Sequence, residues 1–296
     1  MKQSRKDNNM DKDFGGTFRN LREGKNIKIS AVCDSSISKS MISKFERNIS
    51  SISISKFFYL LDKIHVRPAE YDLALNEFYP DGFQMLLSDA THYFFEKNTH
   101  MLQILSDKEL IFYQEEKRQM SLLNHLMIEV MIAMLEERPL SKDKDFSPIT
   151  SYLFNCENWG YYELVLYGNT MGRMKIENVL LFSKNLPSKT LLMRDSGQLY
   201  SIYINLMTNT LSLCINSKLK KDAEYFLKAL DQLEIDDTML FEKLLLKYYK
   251  GLYNIQFSPN PMEGRKAVSE CLTILKTLNS SNLYLIFKDE VDSIQI

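Results

Sequence analysis

Ten glycines and seven prolines in 296 residues are about half the usual supply of turn-formers. A β-sandwich or barrel needs a tight turn roughly every 8–12 residues and could not be punctuated with so few. Leu, Lys, Glu, Met, Phe and Tyr fill the chain instead, so helices joined by short loops are expected. The balance of 45% apolar and 25% charged residues is that of a globular protein. Its length suits about two domains.

Apolar runs fall short of the ~18 residues that span a bilayer. The best, Leu126 to Leu135, is interrupted by Glu129. The first ten residues are polar and charged, unlike a signal peptide, so a cytoplasmic protein without a membrane association is expected, with Met1 or Met10 as its start. Cys33, Cys156, Cys214 and Cys271 are widely spaced with no CxxC, which points to buried, reduced thiols. His125 with Glu129, and His92 with Glu96, stand one helical turn apart. A metal site wants at least three ligands at such spacings. These are read as helix-surface polar pairs, with no metal and no cofactor.

The formal charge of −1 hides an asymmetry. Residues 1–72 carry 14 Lys and Arg against 9 Asp and Glu, while residues 73–296 carry 23 against 29. A basic head on an acidic body points weakly to nucleic acid at the head. After an N-terminal extension at 1–13, residues 14–75 break into five short helical patterns, and 76–82 read as a linker. Phe18, Leu21 and Arg22 share a face of the first helix, and Asn26 stands at its C-cap. Ile29 to Cys33 form a second helix, followed by Asp34-Ser35-Ser36 as a polar turn. Ser38 can cap a third helix ending at Arg47, with Met41, Ile42 and Phe45 as its apolar stripe. Ser53 can start a fourth, and Pro68 suits the first turn of a fifth.

Two short helices joined by a tight turn inside a compact unit are the layout of a helix-turn-helix DNA reader. The words FRNLREGKNIKIS and ISKFERN resemble the XRE helix-turn-helix family of Cro and phage-repressor type. That resemblance implies a structural pairing of Arg22 with Glu46 between the first and third helices. The chain departs from the pattern where Asn26 and Asn48 replace glycines, where the turn lacks its glycine, and where Ile29 stands in place of a Gln. The recognition helix would run from Ser38 to Arg47. Lys39, Ser40 and Lys44 would face base edges, and Lys28, Ser38, Ser43 and Arg47 would contact phosphate of double-stranded DNA.

From 83 to 296 the chain reads as consecutive amphipathic helices at 83–97, 100–118, 120–137, 148–157, 160–172, 175–186, 198–216, 219–233, 237–256, 261–278 and 281–294. The breaks are read at Pro139, the Asp143–Pro148 stretch, Gly172, Pro187, Asp195-Ser196-Gly197, Asp236-Asp237 and Ser258–Pro261. No phosphate-binding loop or nucleophile elbow occurs there. Helix starts such as Ala223-Glu224-Tyr225-Phe226 and Ala267-Val268-Ser269-Glu270 resemble degenerate tetratricopeptide repeats. The expected fold is all-α: a five-helix XRE-type helix-turn-helix domain followed by an α-solenoid of tetratricopeptide-like helix pairs.

The combination, with the words SISISKFFYLLDKIHV, ENWGYYELVLYGNTM, NLMTNTLSLCI and DAEYFLKALDQL, resembles the Rgg/GadR/MutR family of transcription regulators. The resemblance implies a homodimer that binds DNA and whose repeat domain binds a short signalling peptide, as in quorum sensing. No constellation of nucleophile, base and oxyanion donors can be assembled from the sequence, so no enzyme is expected. An extended peptide carries unpaired backbone groups, and Asn offers both a donor and an acceptor to them. Asn169, Asn205 and Asn209 are candidates, with Tyr162, Tyr167 and Tyr203 lining apolar pockets nearby. The alternative is a protein-interaction scaffold with a vestigial helix-turn-helix.

Overall fold

The computed structural model describes residues 12–76, 82–138, 145–189 and 197–294. The chain splits into two compact units, Met1–His92 and Tyr93–Ile296. Every regular element among the described residues is helical.

The first unit opens with α1 (Phe14–Gly24), α2 (Ile29–Val32), α3 (Lys39–Glu46), α4 (Ile54–Lys63) and α5 (Pro68–Leu75). They enclose a small core of Phe18, Val32, Ile37, Ile42, Phe45, Leu60, Leu61, Ile64, Val66 and Tyr71. An aromatic chain runs through it: Phe18 packs on Phe45 at 5.8 Å, Phe45 on Phe57 at 6.3 Å, and Phe57 on Tyr71 at 4.7 Å between ring centroids. Asn26 and Asn48 end α1 and α3 with φ of 57° and 53°, the left-handed region that Asn tolerates. The start of α1 lies so close to the end of α3 that a Cβ on Gly15 would stand 1.8 Å from the Phe45 carbonyl oxygen. The freed space lets Gly15 N–H donate to Asn48 Oδ1 at 2.8 Å, while Asp13 caps α1 by accepting from Gly16 N–H at 2.7 Å. One difference from expectation is that α2 ends at Val32, since Cys33 is already extended with ψ 152°.

The helix α6 (Gly82–Phe95) follows, then the second unit's α7 (Thr99–Glu116), α8 (Gln119–Leu135), α9 (Ser147–Asn155), α10 (Tyr161–Thr170), α11 (Ile176–Lys189), α12 (Gly197–Asn216), α13 (Lys220–Asp231), α14 (Leu240–Phe257), α15 (Met262–Thr277) and α16 (Ser281–Ile294). All eleven helices expected after residue 82 are present, their ends within three residues of the expected ones. Pro187 does not end its helix: the backbone of α11 continues to Lys189, and a missing N–H in the last turn interrupts little that follows. Pro139, Asp143 and Lys144, Asp195 and Ser196, and the linker positions 77–81 lie outside the described residues.

The even-numbered helices form a row, with α8 against α10, α10 against α12, α12 against α14 and α14 against α16. The odd-numbered ones pack beside them, α7 on α8, α9 on α8 and α10, α11 on α12, α13 chiefly on α12 and α15 chiefly on α14. This is the helix-pair stacking of a tetratricopeptide-like solenoid. The odd helices begin at Thr99, Ser147, Ile176, Lys220 and Met262, so no fixed period links the pairs.

Enclosure by α7, α9 and α10 buries α8 nearly all round, polar residues included. This corrects the reading of His125 and Glu129 as a surface pair, for both are buried. Ser106 on α7 joins them: its Oγ lies 2.8 Å from His125 Nδ1 and donates to Glu129 Oε1 at 2.8 Å. Gln103 Nε2 donates to the same oxygen at 3.1 Å. Asn124 Nδ2 donates to the buried Glu109 at 2.9 Å, and Tyr162 OH to Asn124 Oδ1 at 3.0 Å. His92 and Glu96 are exposed.

Between α14 and α15 the backbones nearly touch. A Cβ on Gly264 would stand 2.6 Å from the Gly251 carbonyl oxygen and 3.0 Å from Ile255 N. Backbone atoms cannot step aside as a flexible side chain can. Helix propensity favours Ala over Gly by about 1 kcal/mol. Here overpacking should reverse that sign, so Gly264→Ala is expected to destabilise the protein by about 1–3 kcal/mol. A lower urea midpoint by circular dichroism is the expected readout, and a raised midpoint would contradict the close packing.

Candidate functional site

In the first unit a single ion pair joins the helices that would read DNA. Arg22 on α1 donates from Nε to Glu46 Oε1 at 2.7 Å and from Nη2 to Glu46 Oε2 at 2.9 Å. Both side chains are buried, at 5% and 4% exposed. The third nitrogen, Nη1, donates to the Ile27 carbonyl at 2.6 Å, just before α2. The fork therefore ties α1, the approach to α2 and the end of α3 to one another. The Glu46 hydrogen bonds raise the guanidinium pKa further above its already high value.

Helix α3 starts with Ser38, whose Oγ accepts the Met41 N–H at 3.2 Å. Its outward residues Lys39, Ser40 and Lys44 are exposed, as are Lys28, Ser38 and Arg47, while Ser43 is half-buried. Arg47 Nε donates to the Ser43 carbonyl at 3.0 Å. Sequence reasoning missed Lys56, which extends from α4 to within 3.7 Å of Met41 Sδ and adds a cation beside α3. Its only sequence signal was its charge, because the approach of α4 to α3 depends on tertiary packing.

In the second unit the candidate ligand residues separate. Tyr167 is fully buried between Trp159 and Phe182, and its hydroxyl donates to the Val179 carbonyl at 3.1 Å and meets Ser183 Oγ at 2.7 Å. Tyr203 is also buried and stacks on Tyr200. Both are packing residues, which corrects their reading as pocket lining. Tyr162 is half-buried, and Asn124 engages its hydroxyl. Asn169 turns back on its own helix, donating to the Val165 carbonyl at 2.9 Å.

Asn205 differs. Its Oδ1 is buried and has no hydrogen-bond partner, the one such side-chain atom among the described residues. A buried acceptor left unpaired costs about 1–3 kcal/mol. Asn209, one turn on, is exposed on the same face of α12. The stripe continues in both directions: Ser201 donates to Glu242 on α14, and Ser212 donates to Glu290 on α16. Burial raises the Glu290 carboxyl above its ordinary pKa. The face of α12 turned toward α14 and α16 is thus a polar stripe of Ser201, Asn205, Asn209 and Ser212.

An opening of about 370 Å³ lies among α8, α9 and α11 and is lined in part by Val130, Thr150, Thr170, Arg173, Lys175 and Asn178. Its residues come from separate elements, so no local sequence pattern announced it. Cys214 and Cys271 are buried, with thiols pushed up to about 12 and about 11 by desolvation. Cys33 and Cys156 are only half-buried, since each stands just after a helix end. Among the described residues no group of three or more His, Cys, Asp or Glu could hold a metal ion. Likewise no helix there is long and apolar enough to cross a membrane.

Comparison with known proteins gives a consistent result. A family model described as the C-terminal domain of the HTH-type transcriptional regulator Rgg matches residues 107–289. The chain is similar to the crystal structure of the SHP pheromone receptor Rgg2 from Streptococcus dysgalactiae, with 28% identity and a TM-score of 0.80, over 95% of this chain and 99% of that one. A candidate transcriptional regulator from Listeria monocytogenes EGD-e shares the fold at 17% identity and TM-score 0.80, over 96% and 97% of the two chains. The PrgX/cCF10 complex shares it at 16% identity and TM-score 0.69, over 96% and 92%.

The buried fork makes a direct prediction. Glu46→Ala leaves the Arg22 guanidinium buried without its carboxylate, at a cost of about 3–5 kcal/mol to the first unit. Hydrogen exchange of the α1 and α3 amides should accelerate while that of α12 and α14 stays as in the wild type. Unchanged exchange in α1 and α3 would mean that the pair carries no such weight.

Proposed function

The chain belongs to the Rgg family of helix-turn-helix transcriptional regulators, and from that premise we propose that it reads operator DNA with α3 and senses a short signalling peptide with its second unit. The protein acts in the cytoplasm as a homodimer, without a cofactor and without catalysis. Lys39, Ser40 and Lys44 address base edges, because a helix laid in the major groove presents its outward N-terminal residues to them. Lys28, Ser38, Ser43 and Arg47 hold phosphates and set the register. Rgg2 of Streptococcus dysgalactiae is a pheromone receptor over nearly the same length of chain, which supports the same role here.

The observation that carries the peptide reading is Asn205 Oδ1, a buried acceptor without a donor. Buried polar atoms are nearly always paired, so an exception points to a partner that arrives from outside. An extended peptide supplies backbone N–H groups at about the spacing of side chains on one helix face. Asn205 and Asn209, one turn apart on α12, would each take one such group. Ligand control then requires that the peptide bind one state of the regulator better than another.

Two experiments test the two halves. Replacing Lys39 and Ser40 by Ala together should abolish preference for a selected duplex while helicity is kept, whereas Lys28→Ala should weaken all duplexes alike and flatten the salt dependence. Full selectivity in the double variant would remove α3 from the interface. Isothermal titration with short peptides encoded beside the gene should show saturable binding that Asn205→Ala and Asn209→Ala each weaken by about 0.5–1.5 kcal/mol. Wild-type affinity in both variants would place the peptide elsewhere.

A further inference from the structure

The connection from α2 to α3 contains no glycine, and the structure shows what replaces one. Helix α2 has only four residues and no side-chain cap at its start, so it offers little rigidity of its own. Val32 and Ile37 are buried on either side of the connection, at 1% exposed each. Between them Asp34 organises the backbone. Its Oδ1 accepts the N–H of Ser36 at 2.8 Å and of Ile37 at 3.0 Å, and its own N–H donates to the Ile37 carbonyl at 3.1 Å. Ser38, the next residue, caps α3.

The second carboxylate oxygen is engaged from a distance. Tyr59 OH on α4 donates to Asp34 Oδ2 at 2.5 Å. One turn further along α4, Lys63 Nζ stands 5.1 Å from the centre of the Tyr59 ring and carries a charge opposite to that of Asp34. The Tyr59 hydroxyl is the largest cause holding the Asp34 carboxyl below its ordinary range, ahead of the Ser36 N–H. Tyr59 is itself 40% exposed and is not among the core residues of the unit. A Phe would pack as well at such a place, so what Tyr59 contributes is its hydroxyl.

We propose that Asp34 and Tyr59 are positioning residues for DNA reading: they lock the turn that delivers α3, and so fix the register in which Lys39 and Ser40 meet base edges. The inference rests on the DNA-reading function proposed above. Base-edge hydrogen bonds tolerate little displacement, whereas phosphate contacts from long Lys and Arg side chains tolerate much. Loosening the turn therefore lowers affinity for the preferred sequence and spares affinity for any other.

The test uses the full-length protein. A duplex is selected by the wild type from a randomised pool, and a scrambled duplex of the same composition is the control. Binding constants for both are measured with the wild type, Tyr59→Phe, Asp34→Asn and the double variant, alongside thermal melting. Tyr59→Phe should lower the selected-to-scrambled ratio about fivefold to tenfold, the equivalent of about one hydrogen bond. Its scrambled-duplex affinity and melting temperature should stay at wild-type values. Asp34→Asn keeps Oδ1 for the Ser36 and Ile37 N–H groups but exchanges the charged acceptor of the Tyr59 hydroxyl for an amide that can only donate to it, a weaker neutral contact, and should act in the same direction, with the double variant no worse than the more severe single one. A wild-type ratio in Tyr59→Phe would overturn the lock. Equal loss on both duplexes together with a lowered melting temperature would also overturn it, because the contact would then serve only the fold. Failure of the wild type itself to enrich any sequence would overturn the DNA reading, and the lock with it.

Discussion

The bidentate contact of Arg22 with Glu46 is the constraint on which the first unit depends. A guanidinium and a carboxylate are taken out of water together, and each becomes tolerable only because the other is there. The remaining Arg22 nitrogen holds the Ile27 carbonyl, so the same fork sets the approach to α2. Around it the geometry closes tightly. Gly15 admits the Phe45 carbonyl, Asn48 takes the Gly15 N–H, and an aromatic series from Phe18 to Tyr71 fills the remainder. A core of about ten apolar residues is small, and specific polar contacts of this kind select one arrangement of it. The outward face of α3 is left free, with Lys39, Ser40 and Lys44 exposed on a fixed frame.

The second unit is organised differently. Its stability comes from a row of helices in which each member packs on the next, with α8 enclosed on several sides. That enclosure carries Ser106, Asn124, His125 and Glu129 into the interior, where each finds a hydrogen bond. Against this well-paired interior the lone Asn205 Oδ1 stands out. It lies on α12, in the middle of the row, between the Ser201–Glu242 and Ser212–Glu290 contacts. A site placed there touches the helices that carry the unit's own packing, so occupancy and packing are bound to affect one another.

Most of the fold was legible because its signals are local. Caps at Ser38 and Ser53, the left-handed Asn26 and Asn48, and a steady 3.6-residue apolar period fix where helices begin and end. What stayed illegible is what depends on neighbours. The period of α8 could not reveal that its polar face would be covered by α7, so His125 and Glu129 read as surface residues. Tyr167 and Tyr203 look like pocket aromatics in sequence, yet burial and the hydrogen bonds of Tyr167 to Val179 and Ser183 commit them to packing. Asp34 was visible as a turn residue, but its tie to Tyr59 crosses 25 positions and leaves no local trace. Nor could sequence separate Asn205 from Asn169, since only the structure shows that Asn169 bonds its own helix while Asn205 Oδ1 bonds nothing.

If one chain both reads DNA and senses a peptide, footprinting measures both at once. The full-length protein would be titrated onto the DNA adjoining its own gene, with and without each short peptide encoded there. The expected result is a discrete protected site whose occupancy changes with one peptide for the wild type and not for Asn205→Ala, with protection in the absence of peptide equal for the two proteins. Protection that no peptide alters, or that the same peptide alters equally in both proteins, would contradict it.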